Sequence, residues 1–167
     1  MRSKHILVIL LLAAVLPIKA QKLAVGLDAV WLATGIVNAG AEMTMGRAST
    51  IGLSVMAIQK PWIHHDMKGI ALQPEWRYYL SGRPMYHHFI GVGAITGTYN
   101  FTFNNKIYNG SAAGLGLTFG YVIALGERFN IDLHSGFGII HTQDRNWGKN
   151  NYTLPTKTGV TLTYIIR

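Results

Sequence analysis

The sequence predicts an all-β fold, an eight-stranded antiparallel transmembrane β-barrel with its apolar face turned outward. Three observations predict it. Along residues 111–142, side chains alternate with period two, the spacing of a strand. Ala113, Leu115, Leu117, Phe119, Tyr121, Ile123 and Leu125 share one face, opposite Gly114, Gly116, Thr118, Gly120 and Ala124. After the turn Gly126-Glu127-Arg128, Phe129, Ile131, Leu133, Phe137 and Ile139 oppose Asn130, Asp132, His134, Gly136 and Gly138. Charged residues therefore fall on the side of the small residues, the inverse of a soluble barrel, and this pattern marks strands whose outer face meets lipid. Finally, only 13% of the residues are charged and 19 are glycine, which suits a lipid-facing wall around a narrow interior. Alternation by itself does not say which face is inside, so a soluble lipocalin-like periplasmic carrier stays as an alternative.

The chain has 167 residues. Residues 1–20 carry Arg2 and Lys4, an apolar run from Ile6 to Leu16, and the small Ala20, the layout of a secretory signal peptide. The run is shorter than the roughly 20 residues a spanning helix needs. Removing those 20 from 167 leaves residues 21–167 as one barrel domain of 147 residues. Shared among eight strands, that is about 18 residues for each strand and its connection, enough for spans of about 9 to 11 residues. Arg2, Lys4 and Lys19 leave with the leader, taking the formal charge from +8 to +5. An exported protein with that charge and no nucleic-acid motif is expected to neighbour anionic lipid head groups and lipopolysaccharide. Cysteine is absent, which excludes a disulfide framework and a lipid-modified N-terminal Cys.

The first strand is expected over 22–34, with Leu23, Val25, Leu27, Ala29 and Trp31 outward and Asp28 inward. A short connection at Gly35 leads to the second, over 38–46, where Glu42 faces inward. The third, over 50–59, sends Ile51, Leu53, Val55 and Ala57 outward; a longer polar loop over 60–68 follows. The fourth, over 69–80, opposes Ile70, Leu72, Trp76, Tyr78 and Leu80 to Gln73, Glu75 and Arg77. Pro74 within it has no N–H for the ladder, which predicts a bulge or an irregular bond.

The fifth strand is expected over 86–101, then a loop over 102–110, the opening hairpin, a loop over 143–155 and an eighth strand over 156–167. In that last strand Val160, Leu162, Tyr164 and Ile166 point outward against Lys157, Gly159, Thr161 and Thr163. Connections two, four and six read as tight turns and three, five and seven as longer loops, the asymmetry of outer-membrane barrels. Both termini then lie at the periplasmic end. Trp31, Trp62, Tyr78, Tyr99, Phe101, Phe129 and Tyr164 fall near strand ends, where aromatic girdles are expected.

The inward set Asp28, Glu42, Gln73, Glu75, Arg77, Asp132, His134 and Lys157 predicts a lumen ion-pair network, because buried charges need partners. A lipid A-modifying outer-membrane enzyme is the competing functional class. His134 and Ser135 would be its nucleophile pair, but period two sends them to opposite sides of the wall. By the same argument the neighbours in His64-His65 and His87-His88 diverge, and no Cys or carboxylate cluster completes a metal set. No catalytic residue, metal ligand or cofactor is expected. Unconstrained chemistry is left to the external loops, where Trp62, His64, His65, Lys106, Tyr108, Arg145, Trp147, Lys149 and Tyr152 mix aromatics with basic groups. Such a surface suits lipopolysaccharide phosphates or a protein partner. The expected role of this monomeric barrel is structural or surface-interacting, in the outer membrane.

Asn38-Ala39-Gly40-Ala41-Glu42, Leu72-Gln73-Pro74-Glu75-Trp76-Arg77-Tyr78-Tyr79 and Gly97-Thr98-Tyr99-Asn100 resemble a Bacteroidetes family of small outer-membrane β-barrels of unknown function. Members are often linked to fimbria loci and are OmpA/OmpX-like eight-stranded barrels. The likeness spans most of the mature chain, and its most specific motif is Gln73-Pro74-Glu75-x-Arg77-Tyr78. It implies an outer-membrane barrel with no catalytic residues, serving fimbriae or cell-envelope integrity; Asp28, Glu42, Gln73, Glu75 and Arg77 match in place. The first strand lacks the family's polar Lys-Thr-Asn start, and Arg167 stands where many such barrels end in an aromatic, a role Tyr164 could take.

Overall fold

The computed structural model describes residues 22–62 and 66–166. The expected leader, His64, His65 and Arg167 lie outside the described residues. Eight strands follow one another: β1 Leu23–Asp28, β2 Ile36–Thr44, β3 Ser49–Gln59, β4 Lys68–Tyr79, β5 His87–Phe103, β6 Lys106–Leu125, β7 Phe129–Asp144 and β8 Gly148–Ile166. Each pairs antiparallel with the next, and β1 pairs with β8 from Leu23↔Ile166 to Asp28↔Thr161, closing one sheet into a barrel.

Side chains alternate between a buried interior and an exposed wall, and the greasy face is the exposed one. Leu115, Leu117 and Ile139 are 68%, 67% and 64% exposed, while Glu75, Arg77, Asp132 and His134 are buried. One end holds the turns 45–48, 80–86 and 126–128 together with Leu23 and Ile166. That turn end is packed inside by Ala24, Met85 and Ile165, and by Tyr79, Phe89 and Val122.

The first strand is shorter than expected. β1 stops at Asp28, whose side chain accepts hydrogen bonds from Val30 N (3.0 Å) and Trp31 N (3.1 Å) and caps a one-turn helix, α1, Ala29–Ala33. Trp31 therefore belongs to the helix, and its indole donates to the carbonyl of Thr158 on β8.

At the other end the expected long loops are largely strand. Residues expected in the loop over 102–110 pair as the top of β5 and β6, joined by Asn104 and Asn105, which both take positive φ (49° and 58°). Two successive left-handed residues make the hairpin turn whose twist matches the strands it joins. Likewise the expected loop over 143–155 is the β7–β8 hairpin, turning at 145–147. The wall is thus lopsided: β5 to β8 have 17, 20, 16 and 19 residues, against six and nine in β1 and β2. Above Thr161, β8 pairs with β7 alone, because β1 has ended.

Pro74 makes no bulge. The β4–β5 ladder lapses at Gln73 and Pro74 but resumes in the same register, Leu72↔Thr96 before and Glu75↔Gly93 after. The irregularity lies in β8: Gly136 pairs with Lys157 but Phe137 with Pro155, leaving Thr156 as the extra residue. Such a bulge flips the alternation, so Lys157 faces the lumen below it, while Leu154 and Tyr152 share the inner face above it.

Candidate functional site

Halfway up the lumen, acids and bases from four strands converge on Arg77. Strand alternation puts Glu75 and Arg77 of β4 on the same inner face, and register brings β2, β7 and β8 opposite them. The Arg77 guanidinium reaches Asp132 Oδ2 at 2.6 Å, Glu75 Oε2 at 2.9 Å and Glu42 Oε2 at 3.3 Å, and lies 4.3 Å above the Phe89 ring. Lys157 Nζ donates to Glu75 Oε2 at 2.6 Å. Neutral groups serve two further carboxylate oxygens: Thr50 (2.5 Å) and Tyr79 (2.7 Å) donate to Glu42 Oε1, and Thr118 donates to Glu75 Oε1 at 2.5 Å. These donors matter, since a buried charge is costly unless its lone pairs find partners. Among the described residues Asp132 Oδ1 faces only His134 Nδ1, at 3.6 Å, too long for a hydrogen bond.

Two of the expected members stand apart from this centre. His134 lies between Asp132 Oδ1 and Asp28 Oδ2, 3.6 Å from each, and among the described residues it links Asp28 to the cluster. Asp28 is 1% exposed and spends its carboxylate mainly on the α1 cap. Gln73 is outside the ion-pair network altogether: its Nε2 donates to the carbonyl of Thr156 at 3.2 Å, bridging β4 to the bulge. Three acids, Glu42, Glu75 and Asp132, thus share two fixed bases, Arg77 and Lys157, and His134 links Asp132 to Asp28. Beside Arg77 is a cavity of about 50 Å³ lined by Gly26, Gly40, Gly52, Ser54 and Thr163, which is room for water molecules rather than for a carried ligand.

The second candidate surface is the inner face of the tall wall, above the short β1–β2 rim. Tyr99 and Phe101 were expected in an outward girdle, but strand parity turns them inward. There Tyr99–Phe101 (5.8 Å), Phe101–Tyr108 (5.0 Å) and Tyr108–Trp147 (5.8 Å) form a continuous aromatic row, with Lys106 Nζ 4.8 Å from the Trp147 ring centroid. Lys106, Tyr108, Lys149 and Tyr152 therefore stand on strands and not in loops. Arg145 and Trp147 occupy the β7–β8 turn, where Asp144 holds Asn109 N (2.9 Å), Asn146 N (2.8 Å) and Trp147 N (3.2 Å). Across the lumen mouth, exposed Trp62 donates its indole N–H to Ala33 O at 2.7 Å. His64 and His65 lie outside the described residues.

His134 and Ser135 do point to opposite faces: Ser135 Oγ is exposed, 3.3 Å from Thr158 Oγ1. His87 and His88 do not diverge. His87 takes φ +62°, which turns it out of the strand's alternation, and both rings contact Tyr121, at 5.4 and 4.6 Å. Among the described residues no three His, Cys, Asp or Glu side chains gather to hold a metal ion. Sequence reasoning passed over Thr50, Tyr79 and Thr118 because they are uncharged, although each sits at an inward parity position. It also passed over Asp144, for which the signal was an Asp two residues before Asn146.

Residues 6–166 match a family described as "Protein of unknown function (DUF3575)". No curated protein and no solved structure matches the chain.

Proposed function

Because the chain belongs to the DUF3575 family, whose description assigns no activity, we propose its role from geometry: an outer-membrane barrel of the small OmpA/OmpX-like kind whose tall hairpins engage a partner outside the cell. The observation that carries this reading is the inside-out distribution of polarity. Leu53, Ile70, Leu72, Val92, Leu115, Leu117, Phe137, Ile139 and Leu162 form an exposed apolar wall around a closed sheet, while the charged groups are enclosed. In water a continuous belt of this kind carries a large hydration cost; in lipid it is the required outer surface. Closure supports the same reading, since a sheet without edges satisfies its backbone within a bilayer. A carrier's apolar cavity is what the charged lumen lacks.

The surface-interaction part rests on the lopsided wall. Outside the bilayer the β5–β8 hairpins offer the row Tyr99, Phe101, Tyr108 and Trp147, flanked by Lys106, Arg145 and Lys149. Aromatic and basic groups of this kind supply most interface energy. Beside them the upper part of β8 has only one strand partner, an arrangement that can accept an added strand. Resemblance of the Gln73–Tyr79 segment to small barrels linked to fimbria loci makes fimbrial subunits the first partner to try.

The test has two parts. Fractionation of cells, followed by surface protease treatment, should find the protein in the outer membrane, cleaved at the end that carries 101–108 and 144–150 and not at the turns 45–48, 80–86 and 126–128. Trimming both hairpin tips together should leave the barrel folded and abolish binding to fimbrial subunits or lipopolysaccharide. A protein recovered from the periplasm, or binding that survives the trimming, overturns the reading.

A further inference from the structure

Between β4 and β5 the turn over 80–86 and the first residue after it carry two unusual backbone conformations. Met85 and His87 both adopt left-handed backbone, at φ +59° and +62°, a conformation bulky residues avoid and which clusters at functional positions. Met85 has a packing reason, since it plugs the turn end beside Ala24 and Ile165, and its carbonyl accepts from Asn130 Nδ2. His87 has none of that kind. Alternation would place it inside, but its backbone sends the ring outward, where it stacks between Tyr86 at 3.8 Å and Tyr121 at 5.4 Å. His88 meets the same Tyr121 edge-on at 4.6 Å, and Arg83 lies 5.1 Å over the Tyr86 ring. A guanidinium, two imidazoles and two phenols are thus gathered at the outer rim of the turn end. Among the described residues these ring contacts involve no acidic side chain; Glu127 stands on the neighbouring turn over 126–128.

Directly above this rim the wall carries a shallow, open groove walled by Leu80, Ile90, Phe119, Tyr121, Leu133 and Val160. Its floor follows the rung Phe89↔Gly120↔His134↔Gly159, whose side chains point inward and leave backbone on the outer surface. Rows of outward side chains on the neighbouring rungs form its two banks. Strands in a barrel of this size tilt by roughly 40°, so the groove slants up the wall away from the Arg83–His88 rim.

We propose that this rim and groove form a binding site for one anionic glycerophospholipid of the leaflet at the turn end. The phosphate is held by Arg83 and the N–H groups of His87 and His88, and an acyl chain lies in the groove. The proposal rests on the membrane reading above and goes beyond it by assigning a headgroup charge, a leaflet and residues. Charge complementarity names the occupant: the rim offers one cation, Arg83, beside hydrogen-bonding and aromatic rings, the groove is apolar, and a diacyl phosphate ester has both halves in that order.

The full chain, reconstituted into phosphatidylcholine vesicles, is titrated with spin-labelled phosphatidylglycerol or spin-labelled phosphatidylcholine, and the motionally restricted fraction of each is measured. Phosphatidylglycerol should be selected by the unaltered protein, and Arg83→Gln or His87→Asn should lower that selectivity about fivefold, the fold-change equivalent to about 1 kcal/mol for a basic group near an anionic surface. Asn keeps the left-handed backbone at low cost, so folding is retained. Protection of the barrel from protease is read in the same vesicles. Equal restriction of the two lipids, or selectivity unchanged in both variants, with the barrel protected, overturns the lipid site and leaves the membrane reading intact; a barrel that never enters the vesicles overturns both. Displacement of the lipid by inorganic phosphate would mean that the headgroup alone is held, and a dimer abolished by Tyr121→Ala would give the groove to a second copy; either result also defeats the proposal.

Discussion

Arg77 donates to Asp132 at 2.6 Å across the lumen, from β4 to β7, and is the one base in contact with three of the four acids there. Truncation would leave Glu42 and Asp132 with no fixed base. Arg77→Ala is therefore expected to destabilise the barrel by roughly 3 to 5 kcal/mol, against less than about 0.5 kcal/mol for Arg47→Ala on the exposed turn. Urea unfolding in detergent micelles measures both.

Leu117 and Thr118 are neighbours on β6 facing opposite ways, one exposed and one buried against Glu75. Leu117→Arg should cost about 2 to 4 kcal/mol of folding free energy in bilayers if that face meets the hydrocarbon midplane, and far less in water-soluble surroundings. Thr118→Val deprives Glu75 Oε1 of its donor and should cost about 1 to 3 kcal/mol in either medium. Folding of Leu117→Arg into vesicles with no loss of stability would contradict the lipid-facing wall.

Gly159 on β8 has no side chain because the Asp28 carboxylate occupies that space: a Cβ there would overlap Asp28 Oδ2. Gly159→Ala should push Asp28 off the α1 cap. Asp28→Ala removes the cap directly, a loss of about 1 kcal/mol. The double variant is expected to cost little more than Gly159→Ala alone, because the two changes break the same contact. Full additivity in a double-mutant cycle would refute this coupling.

Asp144 holds three backbone amides at the tip of the β7–β8 hairpin. Asp144→Ala should speed hydrogen exchange at Asn109, Asn146 and Trp147 while amides of the Arg77 rung keep their protection, because the tip opens locally. Loss of protection throughout the barrel would mean that the hairpins and the lumen unfold as one unit.

How far the sequence could be read depended on where lipid-like patterning reaches. Below the rim, one face of each strand is greasy and the other is not, so parity assigned Leu117 outward and Glu75, Arg77 and Asp132 inward. Above it, both faces of β5 to β8 meet polar surroundings or one another, and the contrast that marks a strand disappears. Residues 102–110 and 143–155 therefore read as loops, although Asn104-Asn105 is a hairpin-turn pair. The end of β1 was hidden differently: Ala29, Trp31 and the residues between them fit either period, and only the Asp28 cap decides for helix. Tyr152 could not be placed from parity counted back from Lys157, because Thr156 adds a residue between them. His87 escaped for the opposite reason, since a left-handed backbone cancels the rule that sends adjacent strand residues apart.

The seam between β1 and β8 joins Leu23 to Ile166 through six registered pairs. Those pairs are the most distant in the chain, so the entropy of closing the loop between them falls due before their hydrogen bonds form. Until the last strand arrives, β1 and β8 each present an unpaired edge, which the seam removes. Lengthening β1 by replacing the Asp28 cap would add rungs to this final step. The native chain instead ends β1 early, so that six rungs complete the closure.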